Sequence, residues 1–132
     1  MNLMTDLLDL VPISPAARDD LTARMGGPDR HYHDLGHLGI DRAAMNRAVF
    51  HALKHGGFFI IADHAGRAGT GISEAGTLHR VEEAFLRGEV EAAGFKMLEE
   101  GMFLRNPNDP KDKNTPEPPQ PKDEFVLKFV KP

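Results

Sequence analysis

The chain has no cysteine. That excludes disulfides, a thiol nucleophile and any zinc site built on thiolates. No run of four or more Lys or Arg occurs, and 16 basic residues face 20 acidic ones, for a formal charge of -4. A nucleic-acid surface needs a basic patch, so no nucleic-acid partner is expected. No apolar stretch approaches the roughly 18 residues that cross a bilayer, so no membrane partner is expected either. The opening MNLMTDLLDLVP carries no basic leader and no small-residue cleavage site, which points to a cytoplasmic protein.

What is present suits one modest core: 132 residues, of which 40% are hydrophobic. Leu3, Leu7, Leu8 and Leu10 have helical spacing, and Pro12 ends that element. Ser14 followed by Pro15 starts a second helix, which runs to about Met25 and stops at Gly26, Gly27 and Pro28. Residues 1–30 therefore read as an N-terminal helical segment. Asp41 caps a third helix over RAAMNRAVFHALKH, with Ala44, Met45, Ala48, Val49, Ala52 and Leu53 inward and Gly56 as its stop. GFFIIADHA does not alternate and reads as a strand buried on both faces. After a glycine-rich loop, LHRVEEAFLRGEVEAAG is a fourth helix, with Val81, Ala84, Phe85, Val90 and Ala93 inward and Gly94 at its end. FKMLEEGMFLR is a second strand, residues 106–123 form a proline-rich surface loop, and EFVLKFV alternates as a last strand. The class is α/β.

Two places carry chemistry. RHYHDLGHLGID packs His31, His33, Asp34 and His37 together. His33 and His37 are four apart and would share one face of a helix, so His33, Asp34 and His37 are a candidate metal set. A substrate-facing loop and a plain polar turn are the competing readings, and a resident metal is not the leading expectation. Asp63 and His64 end the buried strand, where open α/β sheets form their ligand crevice. They read either as general base and orienting group or as loop caps. GRAGTGISEAG follows a strand and precedes a helix, so it has the outline of an anion-binding loop. His51 and His79 read as surface or capping residues on helices.

YHDL, NRAVFHALKHGGFFIIADH, GTGISEAGTLHRVEEAFLRGEVEAAGF, FLRNPNDP and DEFVLKFVKP lie between Tyr32 and Pro132. That span resembles the C-terminal half of a bacterial family of class I S-adenosylmethionine-dependent methyltransferases. The resemblance implies a partial Rossmann-like sheet over residues 31–132, of about three strands. The last strand would insert antiparallel between its neighbours. It places YHDL at a strand end, so that Tyr32, His33 and Asp34, with Asp63 and His64, line the mouth of an active site. It also accounts for the glycine-rich loop without a ligand. The cofactor would be S-adenosylmethionine, and the reaction methyl transfer to a small molecule. The family has proline where this chain has His55. Its cofactor half, with a glycine-rich turn after strand one and an acid after strand two, has no counterpart here; two N-terminal helices stand in its place.

LLDLVPISPAARDDLTARMGGPDRHYHDLGHL, within residues 1–38, resembles the opening of HD-type metal-dependent phosphohydrolases. Those enzymes need a further His-Asp pair, for which Asp63-His64 is the candidate, in reversed order. The two resemblances overlap at YHDLGHL, so the chain reads as a chimera, by fusion, truncation or recombination. Three functions follow as expectations. They are a methyltransferase-like protein, truncated and with doubtful activity, a non-catalytic interaction protein such as an antitoxin or inhibitor, and a metal phosphohydrolase. A half-sheet also leaves the edge at residues 58–63 unpaired, which predicts a homo-oligomer or a protein partner there.

Overall fold

The computed structural model describes residues 15–24 and 31–132. The helix expected over residues 3 to 10, the Ser14 cap and the stop at residues 26–28 lie outside the described residues. The order is α1 (Pro15–Arg24), α2 (Tyr32–His37), α3 (Arg42–Ala52), β1 (Phe58–His64), α4 (Glu83–Ala92), β2 (Lys96–Gly101) and β3 (Glu124–Val130). Three helices come first, then strand, helix, strand, strand, and the three strands form one small open sheet.

Sheet order is β1-β3-β2. The last strand lies in the middle and is antiparallel to both neighbours. Its alternation explains the position. Phe125, Leu127 and Phe129 are buried on one face, and the intervening residues are half-buried on the other. Phe59 pairs with Phe129, Ile61 with Leu127 and Asp63 with Phe125. One row of side chains thus points at the helices, and Asp63 is its last member on β1. Helices α3 and α4 pack on each other, and α1 packs on α3 through buried Leu21. Met45, Val49, Leu86 and Val90 close the core over the sheet. No described helix is long and apolar enough to cross a membrane.

Several local expectations are corrected. YHDL belongs to a short helix, not to a strand end. The Asp34 carboxylate accepts the His31 backbone N–H at 2.9 Å, which holds the helix N-terminus. Helix α3 stops at Ala52, so Lys54 and His55 lie beyond it. Leu53 is extended and buried, and its carbonyl accepts a bond from Lys131 Nζ at 2.8 Å. That tie to the C-terminal segment ends the helix early. Helix α4 starts at Glu83, because Val81 is taken by a parallel bridge to Ala65. With the start moved, Leu86 faces inward and Ala84 is exposed. The 106–123 loop is not wholly solvated, since Asp109 and Asp123 are buried in it.

Candidate functional site

Four elements converge on His33. Helix α2 supplies His33 and Asp34, with His31 just before it. The end of β1 supplies Asp63 and His64. The turn before Val81 supplies His79, and the start of β3 supplies Glu124, with Lys122 just ahead of it. The sheet register makes part of this arrangement, because His64 and Glu124 are direct cross-strand partners. Their side chains meet at 2.8 Å, His64 Nε2 to Glu124 Oε1.

His33 is buried, and Asp63 holds it twice. Asp63 Oδ2 accepts the His33 backbone N–H at 2.8 Å, and Asp63 Oδ1 lies 2.7 Å from Nδ1. Asp34 Oδ1 is 3.3 Å from Nε2. Carboxylates therefore stand at both ring nitrogens, and only an imidazolium donates to both. Burial works against that charge. The hydrogen bond and charge of Asp63, with the charge of Asp34, outweigh it and raise the His33 pKa above that of an ordinary imidazole. His64 goes the other way. Burial and the Lys122 charge lower its pKa, against the pull of Asp63 and Glu124. Its Nδ1 is 3.3 Å from the His79 carbonyl, which suits an Nδ1–H. Lys122 is itself held below the usual lysine range, by burial and by the charge of Arg80.

The rings are layered. His31 and His33 stack with centroids 5.5 Å apart, and His33 and His64 stack at 5.8 Å. His79 meets His33 edge-on at 5.5 Å and 75°. His64 and Glu124 open onto a cleft of about 650 Å³. Phe103 and Pro121 give it an apolar side, and Asn106 and Gln120 a polar one.

The expected site residues fall into two groups. His33, Asp34, Asp63 and His64 are brought together. Tyr32 is not part of that cluster, since its hydroxyl donates to Glu89 Oε2 at 2.7 Å and accepts from Asn46 Nδ2 at 2.9 Å. Arg42 grips the same Glu89 carboxylate at 2.8 and 2.9 Å. Burial and the adjacent Glu89 push the Tyr32 phenol far above its usual pKa, so it stays protonated and acts as a strut. His37 is exposed and covers Gly76, where a Cβ would lie 2.5 Å from its Nδ1. His79, read as a helical surface residue, sits in a turn at φ 54° and faces His33. Its role and that of Glu124 had no signal in spacing. Glu124 was findable only through the strand register.

S-adenosylmethionine needs backbone left open to it. Gly66, Gly71 and Gly76 of the 66–76 loop are instead closed by the protein's own atoms, and Gly69 alone of that loop stands open. A Cβ on Gly66 would lie 3.1 Å from Glu82 N, and one on Gly71 would lie 3.3 Å from the Phe85 ring. A loop closed at three of its four glycines does not fit that cofactor. No family model and no curated protein matches the chain.

Proposed function

We propose that the chain is a methyltransferase-like α/β protein whose own residues carry out acceptor-side acid–base chemistry on a small apolar molecule with an acidic hydroxyl. Two features support the methyltransferase-like, Rossmann-like reading of the fold. The last strand is inserted antiparallel between β1 and β2, and the polar cluster stands at the C-terminal end of β1. The chemistry proposed stays with proton transfer, which the residues at the cleft can perform themselves.

The observation that carries it is the place of His64, on the cleft wall with Glu124 2.8 Å from its Nε2. Its lowered pKa favours the neutral, proton-accepting ring at neutral pH. With Nδ1–H held by the His79 carbonyl, the ring takes the proton at Nε2, where the Glu124 carboxylate gives way to the incoming hydroxyl and then pairs with the imidazolium. His33, charged and fixed by Asp63, supplies the opposite member, a positive field beside a developing oxyanion. Environments that push two histidines apart assign the two roles.

The test uses 4-nitrophenol, whose phenolate is coloured. It should bind and gain phenolate absorbance, and His64→Gln should keep the binding but lose the gain. Absence of binding, or a gain that survives in His64→Gln, overturns the reading. A saturable heat on calorimetric titration with S-adenosylmethionine would extend it to methyl transfer. One observation favours a second reading, hydrolysis of a phosphate ester of the HD type. The reversed Asp63-His64 pair does lie against His33. Turnover of 4-nitrophenyl phosphate with added manganese tests it.

A further inference from the structure

We propose that His33 Nε2, an Asp34 carboxylate oxygen and a His79 ring nitrogen bind one divalent transition-metal ion, with zinc as the best fit. Two imidazoles and a carboxylate are a ligand set that zinc, manganese and ferrous iron accept. The set differs from the one that spacing suggested, because the exposed His37 gives way to His79.

Three geometric observations support it. First, His33 Nε2 and Asp34 Oδ1 are 3.3 Å apart. Two ligand atoms about 2.1 Å from zinc, at a tetrahedral angle, stand roughly 3.4 Å apart. One ligand atom from each of the three residues lies within 4.8 Å of the others. Binding would draw the His79 ring nitrogen in from within that limit to complete a face.

Second, the rings are oriented for it. A metal is bound in the plane of an imidazole. His79 stands at 75° to His33, so the two planes can converge on one point. His31 and His64 stack on His33 at 15° and 29°, so their lone pairs run alongside its own. This separates the proposed set from the alternative grouping of His33, Asp63 and His64. In that grouping Asp63 Oδ1 is already 2.7 Å from His33 Nδ1, a hydrogen-bond distance rather than a ligand–ligand one. Asp63 is instead the outer carboxylate that orients a metal-bound histidine through its other nitrogen.

Third, His79 has φ 54°, in the left-handed region that non-glycine residues rarely hold. That turn is what brings its ring to His33. The proposal shares His33 with the acid–base reading: an ion at Nε2 would take the place of the ring proton there and would itself supply the positive charge beside the oxyanion, so the two are tested by separate readouts.

The experiment uses untagged full-length protein stripped with a chelator. Calorimetric titration with zinc sulfate should give one ion per chain. His79→Gln and Asp34→Asn should each weaken binding at least roughly tenfold, and Asp63→Asn by roughly 10- to 100-fold. His37→Gln and His64→Gln should bind as the parent does. Circular dichroism of each variant shows whether it folds, and the two ligand variants back each other up. Cobalt in place of zinc should give the intense visible bands of a low-symmetry four-coordinate ion. Lack of stoichiometric zinc overturns the proposal, as does zinc binding indifferent to both His79→Gln and Asp34→Asn. Loss of zinc with an intact 4-nitrophenolate signal overturns the metal site alone. The reverse result overturns the acid–base reading alone.

Discussion

Arg80 is fully buried, and the protein itself supplies its partners. Its guanidinium makes two bonds to Asp109, at 2.7 and 3.1 Å. It also donates to the carbonyls of Ala65 and Lys113, each at 2.9 Å. Asp109 in turn accepts the backbone N–H groups of Asp123 and Lys111. One ion pair therefore ties the 106–123 loop to the turn that carries His79. Removing the cation leaves an uncompensated buried carboxylate. Arg80→Met should cost about 3–5 kcal/mol, read as a lowered urea midpoint, while Arg80→Met combined with Asp109→Leu should recover much of the loss. Burial opposes ionisation of Asp109, but Arg80 and the two N–H donors outweigh it and hold its pKa below the usual carboxylate range. A depressed carboxylate stabilises the fold above its unfolded pKa and loses that contribution as pH falls through the folded value. The acid loss therefore falls below about pH 4 and should be shallower in the double variant. None of this pairing was legible in the sequence. The partners are 29 residues apart, and one sits in a loop whose composition suggested solvent.

At the scale of elements, the sequence was most informative where a pattern is local. Pro15 at a first helical position and the alternation of EFVLKFV became the expected elements, and the non-alternating FFII became a strand, but with Phe58 exposed and Ile60 half-buried rather than buried on both faces. Gly94 was read as the end of the fourth helix, and it takes φ 111° just after α4. It is also under the Phe50 ring, where a Cβ would come within 2.9 Å. Gly94→Ala combines a disfavoured φ with that contact. It should lower stability by more than about 1 kcal/mol, seen as a drop in thermal midpoint, and an unchanged midpoint would show that the turn can relax. Legibility failed where tertiary ties set the boundaries. Helix α3 was cut short by Lys131, and α4 by the bridge of Val81 to Ala65. Helix α2 has six residues and two competing ancestries, so neither periodicity nor resemblance gave its conformation. The candidate site shows the same division. His33, Asp34, Asp63 and His64 were singled out from their own neighbourhoods, whereas His79 and Glu124 enter only through the fold.

At the scale of the molecule, the sheet decides what the protein meets. Just past β1 the Ala65 N–H donates to the Asp123 carbonyl on the β3 side, while the His64 carbonyl accepts the Val81 N–H on the opposite side. The ladder alternates, so Phe58, Ile60 and Ala62 turn their backbone groups to that opposite, outer edge. Val81 covers the edge at its C-terminal end. Among the described residues no strand pairs with that outer edge from Phe58 to Ala62. Phe58 is 40% exposed there, and Ile60 is half-buried. An unpaired apolar edge is a template for another strand, and a second copy of the same chain offers the same edge in antiparallel register. We predict a dimer formed through β1, extending the sheet across the two copies. Sedimentation velocity at tens of micromolar should show it. Ile60→Lys puts a charge on the edge without removing a ladder bond to β3, and it should return the protein to monomers. A parent chain that sediments as a monomer at that concentration removes the edge as an interface. In that case the acid–base cluster would have to work within one copy, served by its own cleft.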